Sequence, residues 1–125
     1  MKIKIGKPSV VVPPGEYPVI CQDIKKVTQF GKPVIQIIWI IASGEYERAE
    51  IRSFINADYE TFSNRTKFFK WISVVLGEEP DADDIVDTKI FKSKIILAKV
   101  ETKVSKKTDQ EFSNVTDLIR VEGEF

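Results

Sequence analysis

Between Thr61 and Leu76 the apolar residues switch to a helical spacing, and this single window separates two blocks of strand-like patterning. Phe62, Phe69, Ile72 and Leu76 fall within a narrow arc flanked by Phe68 and Val75, and Gly77 follows as a natural helix stop. One helix among strands confines the chain to two architectures. Either it is an all-β barrel carrying one helix, or it is an open α+β sheet with the helix packed on one face.

The strands themselves weigh on that choice. Pro13-Pro14-Gly15 signals a turn, and Glu16–Val27 is extended in character, with apolar residues on both parities: Tyr17, Val19 and Cys21, then Ile20 and Ile24. That pattern predicts a long bulged strand, buried partly on each side. Thr28–Pro33 reads as a loop in which Gly31 is free to take a positive φ. Val34–Ile41 is β-branched and aromatic, with Ile35, Ile37, Trp39 and Ile41 facing one way, so Trp39 is assigned to the core. Ser43-Gly44 predicts a short hairpin turn into a strand over Glu45–Phe54, in which Ala49 and Ile51 look inward and Tyr46, Arg48, Arg52 and Phe54 share the other face. After the helix come an acidic connector (Glu78–Asp87), a strand over Ile95–Val104, a polar turn over Ser105–Gln110 and a last strand over Phe112–Val121. Three meandering strands, one helix and a closing hairpin are the layout of the five-stranded OB barrel. The two-sided first strand favours it, because a strand that curves around a barrel has neighbours on both sides.

With 125 residues the chain makes one such domain, residues 1–125, with residues 1–12 as an N-terminal extension and 121–125 as a short acidic tip. The absence of histidine excludes Ser-His-Asp and Cys-His catalysis, and a lone Cys21 excludes an internal disulfide framework and, with no histidine, argues strongly against a zinc site. The acidic connector lacks the glycine and terminal Glu of an EF-hand loop, and no phosphate-cradling glycine loop exists. Neither an enzyme nor a cofactor is expected. No apolar run approaches the roughly 18 residues of a membrane span, and the N-terminus lacks a signal-peptide core, so a cytoplasmic protein is expected.

Net charge is zero, but the zero hides a segregation. Residues 1–36 carry a net +4 and residues 89–110 a net +5, against −6 over 37–88 and −3 over 111–125. A fold that joins the two basic segments creates a basic face that net charge conceals.

The order Gly15-x-Tyr17-x-Val19, Gly31 in a short loop, then an apolar strand into Gly44-x-Tyr46-x-Arg48 resembles single-stranded-DNA-binding proteins of OB fold encoded by phages and mobile elements. The likeness runs over roughly residues 13–120 and continues with the aromatic helix, the acidic stretch and the lysine-containing hairpin. It implies sequence-independent binding of single-stranded DNA in replication or recombination. The sequence departs from that group in lacking a long acidic tail. Val121-Glu122-Gly123-Glu124-Phe125, acidic and closing on Phe, looks like the partner-docking tips of bacterial and phage single-strand-binding proteins.

In an OB barrel the second and third strands and the loops joining strands one–two and four–five form the oligonucleotide site. Lys25, Lys26 and Lys32 flank the first loop; Lys99, Lys103, Lys106 and Lys107 flank or occupy the second. These lysines are candidates to neutralise phosphates, the alternative being solvation of edges and turns. Phe30 at a loop tip, and Tyr46 and Phe54 beside Arg48 and Arg52, are candidate stacking platforms. Trp71 projects opposite the helical arc, near Lys67, and is expected partly exposed as a partner contact; the alternative is a ring lying under the Lys67 stem. Two other functions stand beside nucleic-acid binding. One is a protein-interaction module recruiting a helicase, recombinase or polymerase through Trp71 or Phe125, and the other is a structural phage component. Self-association is left open.

Overall fold

The computed structural model describes residues 1–3, 11–29, 31–57, 62–106 and 108–124. Within them lie β1 (Gly15–Gln29), β2 (Lys32–Ile41), β3 (Glu50–Asn56), α1 (Lys67–Leu76), a single 3-10 turn at Thr88–Phe91, β4 (Lys94–Val104) and β5 (Glu111–Glu124). The strands close into a barrel in the order β1-β2-β3-β5-β4. All neighbours are antiparallel except β3 and β5, which run parallel and share the pair Arg52–Asn114. This is the OB-like all-β barrel with one helix, and the open sheet is excluded.

β1 makes closure possible. Its first half, Gly15–Ile20, pairs with β4, while Val19–Gln29 pairs with β2. Between Cys21 and Asp23 the register slips by one residue, with Cys21 opposite Trp39 and Asp23 opposite Ile38. The extra residue, Gln22, is exposed, and the slip turns Ile24 to the side that Val19 and Cys21 occupy before it. The mixed parity of the sequence therefore marks a bulge, as expected.

Inside, Val19, Cys21, Ile35, Ile37, Trp39, Ile41, Ile51, Ile55, Ile96, Ala98, Val100, Val115 and Leu118 form the core. Trp39 is fully buried, and its Nε1–H donates to Ser53 Oγ at 2.9 Å, which in turn donates to the Val115 carbonyl at 3.2 Å. A buried indole N–H left unpaired costs on the order of 1–3 kcal/mol, and this relay removes that cost.

Four expectations are corrected. The helix starts at Lys67, capped by Thr66, whose side chain accepts from the Phe69 N–H, and not at Thr61. Phe62 precedes it and packs edge-on against Phe68. With Phe62 removed from the wheel, the buried stripe is Phe68, Trp71, Ile72 and Val75, the i, i+3, i+4, i+7 set that faces the barrel. Trp71 is therefore fully buried, edge-on to Trp39 at 6.1 Å, with the Lys67 ammonium 5.0 Å from its ring centre. It is no exposed partner contact.

Second, Ser43-Gly44 is not a tight hairpin turn. The loop runs from Ala42 to Ala49, held by Glu47 N–H to the Gly44 carbonyl and Arg48 N–H to the Ile41 carbonyl, with Arg48 left-handed at φ 72°. Strand β3 begins only at Glu50, so Tyr46 and Arg48 leave the face that Arg52 and Phe54 occupy. Third, Val12 belongs to the core and not to an extension. It is fully buried, and its N–H donates to Ser113 Oγ at 2.8 Å. Fourth, residues 121–124 are no free tip, because they pair with β4 through Ile95–Gly123 and Lys94–Glu124. Phe125 lies outside the described residues.

Candidate nucleic-acid interface

Registers place side chains in rows across the outer face. One row runs Lys25–Gln36–Phe54, and the next Asp23–Ile38–Arg52–Asn114–Glu101, crossing from β1 to β4 around the barrel. Phe54 is 40% exposed and is followed on the same strand face by Asn56. Two positions before Asn114 on β5 stands Phe112, 36% exposed and opposite Lys103. Because β3 and β5 are parallel, Phe54 and Phe112 lie on opposite sides of the Arg52–Asn114 pair, displaced by about 13 Å along the strands. Arg52 is half exposed, and its Nη2 lies 3.4 Å from Glu50. An exposed phenyl ring, a guanidinium and a second exposed ring thus succeed one another across the β3–β5 seam.

The lysines divide into three sets. Lys25, Lys26 and Lys32 are exposed around the β1–β2 hairpin, whose turn uses Gly31 at φ 74°. Here the edge of β1 beyond Ile20 has no strand partner among the described residues, so Lys25 and Lys26 also block edge-to-edge pairing. Lys103 and Lys106 are exposed at the end of the β4–β5 hairpin. Lys99 does not belong with them. It sits mid-strand opposite Glu16 and Asp117, 3.4 Å from Glu101, and its charge is locally matched. Phe30 and Lys107 lie outside the described residues.

Tyr46 and Arg48 are on the β2–β3 loop, away from the Phe54 row. Tyr46 is half-buried, edge-on to Tyr17 at 6.1 Å, and Tyr17 donates its hydroxyl to the Pro13 carbonyl at 2.6 Å. Burial foremost, then the neighbouring Tyr46 and Glu45, pushes the Tyr17 phenol above its ordinary value. These rings brace a loop.

Sequence reasoning missed two residues of this surface. In the sequence Phe112 stands only as the start of a strand, although its place opposite Lys103, just after a polar turn, is a usable signal. The sequence offers Lys67 only as a stem over Trp71. Burial foremost, then Lys103, lowers its pKa, while Asp117 and Glu101 oppose this, and nothing in the sequence signals these β4 and β5 neighbours.

The arrangement holds cations and flat rings, the means of phosphate neutralisation and base stacking. Among the described residues no group of acids and cysteine is placed to hold a metal ion, and no helix is long and apolar enough to cross a membrane. No protein-family model matches the chain, and no curated protein matches it.

Proposed function

We propose that this protein binds single-stranded DNA without reading its sequence, in the replication or recombination of a phage or mobile element. The observation that carries the reading is the outer face of β3 and β5, where Phe54 and Phe112 stand exposed on either side of Arg52. The lysines of the β1–β2 and β4–β5 hairpins supply cations for the backbone. Bases stack on the two rings, Arg52 and Lys103 lie between and beside them, and Lys25, Lys26, Lys32 and Lys106 follow the phosphates. Stacking accepts any base because every base has a π face, and lysines contact phosphate rather than base edges, so the mode is sequence-tolerant. The setting in phages or mobile elements rests on the sequence resemblance alone.

Fluorescence anisotropy of a labelled oligo-dT at two salt concentrations tests this. Affinity is expected to fall steeply with salt, with a log–log slope of about −0.7 per phosphate neutralised. Phe54→Ala and Phe112→Ala are each expected to weaken binding by about 1–3 kcal/mol, the worth of one stacked base. Failure of the wild type to bind oligo-dT at low salt would sink the reading.

A further inference from the structure

The outer face does not account for a cavity at the mouth of the barrel. It encloses about 260 Å³ and is lined, among the described residues, by Ile24, Lys25, Lys26, Ile35, Ala57, Phe62 and Thr88. We infer that this mouth is a pocket for one nucleobase, with the attached phosphate held at the rim by Lys25 and Lys26. The inference deepens the single-strand reading and rests on it.

The bulge in β1 builds the floor. By turning Ile24 inward opposite Ile37, it sets Ile24 beside Ile35 and Ala57 and leaves an apolar surface at the barrel end. Ala57 is 3% exposed, and its N–H donates to the Pro33 carbonyl at 3.1 Å, which ties this part of the floor to the start of β2. Phe62 forms a wall. Its ring meets Phe68 at 5.1 Å and 64°, and Phe68 stacks on Phe91 at 5.9 Å and 10°, so the wall is backed by aromatic packing.

Lys26 pairs with Ile35 in register, which gives it an inward position, yet it is exposed where β1 has left its pairing with β4, which ends at Ile20. Lys25 and Lys26 both line the cavity, and no described lining residue is acidic. Apolar walls under paired cations suit a flat heteroaromatic ring carrying a phosphate. The volume lies below the roughly 300–1,000 Å³ of drug-sized sites, which suits one base and not a longer ligand. The mouth also adjoins the outer face, since Lys25 belongs both to its rim and to the row that ends at Phe54. A strand crossing Phe54 toward the β1–β2 hairpin reaches the mouth and turns one base into it.

Two sources offer this chemistry, a base within a strand and a free nucleotide, and the test separates them. Backbone amide shifts are recorded for the wild type with dTMP and with deoxyribose 5-phosphate. Oligo-dT affinity is measured for the wild type and for Ala57→Leu, which fills the floor. The expected result is dTMP-specific shifts at Ile24, Ile35, Ala57 and Phe62, and a loss of about tenfold in oligo-dT affinity on filling, one stacked base being lost. If Ala57→Leu does not fold, Phe62→Leu replaces it, removing the ring while keeping an apolar wall. Equal oligo-dT binding by wild type and filled variant, with no dTMP shifts, overturns the pocket and leaves the outer-face reading standing. If oligo-dT does not bind at all, that reading fails. Shifts with dTMP would then support the mouth as a free-nucleotide site, and their absence would sink it too.

Discussion

At the scale of single residues, Cys21 and Trp71 show how position overrides type. Cys21 is 5% exposed, facing Trp39, and burial pushes its thiol up to about 12. Lys92 pulls the other way, and Asp23 acts both ways, its charge raising the thiol and its backbone carbonyl, accepting from the thiol, lowering it. Because the folded state keeps the proton longer than the unfolded chain does, the stability this confers is complete below about pH 9 and is lost as pH rises toward 12. Urea midpoints followed from pH 8 upward should therefore fall more steeply for the wild type than for Cys21→Ala. Parallel slopes would contradict the burial assigned to this thiol. Trp39 was legible from alternation along Val34–Ile41, whereas Trp71 was not, because counting Phe62 into the helix rotated the apparent apolar arc toward Phe69 and Leu76. Leu76 is 38% exposed. Phe112 and Ser113 invert the usual rule, with the aromatic outside and the hydroxyl inside. Ser113 faces inward because it pairs with the Val12 backbone, a bond that no local pattern reveals.

Elements were read more securely than the turns between them. The existence of the five strands and the bulge of β1 follow from apolar parity, a property of neighbouring residues, whereas closure into a barrel follows from the succession of elements. The loop over 42–49 does not, because its second left-handed position is occupied by Arg48, a residue that carries no turn signal. Helix α1 has ten residues and lacks both acids in its first turn and bases in its last, so its end caps matter more than usual. Thr66 holds one end; at the other, Gly77 at φ 80° donates its N–H to the Ser73 carbonyl at 2.9 Å. Thr66→Ala and Gly77→Ala should each cost about 1 kcal/mol, lowering Tm by about 4 °C. Thermal melts that leave Tm unmoved in both would show that tertiary packing alone fixes the helix ends.

At the scale of the whole molecule, the segregation of charge survives only in part, since β5 brings Asp117 opposite Lys99 and Glu124 opposite Lys94. The acids of Glu78–Asp87 make none of the ion pairs among the described residues, so they do not neutralise the lysines of the two hairpins. What joins the ends of the chain is closure of the barrel. Val12 and Ser113, 101 residues apart, are linked through one hydroxyl that accepts from the Val12 N–H and donates to its carbonyl. Ser113→Ala leaves that buried amide unpaired and should cost about 1–3 kcal/mol in chemical denaturation. A variant as stable as the wild type would mean that another group takes over the amide.

That closure also carries a consequence for the chain during its synthesis. The leading half of β1 finds its strand partner only when β4 exists, since Gly15 pairs with Val100 and Ile20 with Ile95, whereas the pairing with β2 starts at Val19. At roughly 5–20 residues per second, the ribosome leaves Tyr17–Ile20 without that neighbour for several seconds, far longer than a hairpin takes to form. The β1–β2 hairpin therefore assembles early, with one flank open to stray strands. Pro13 and Pro14 stand immediately before that flank. Lacking backbone N–H groups, they cannot extend a wrongly recruited ladder toward the N-terminus, and so guard the nascent chain in the interval before the ring is sealed.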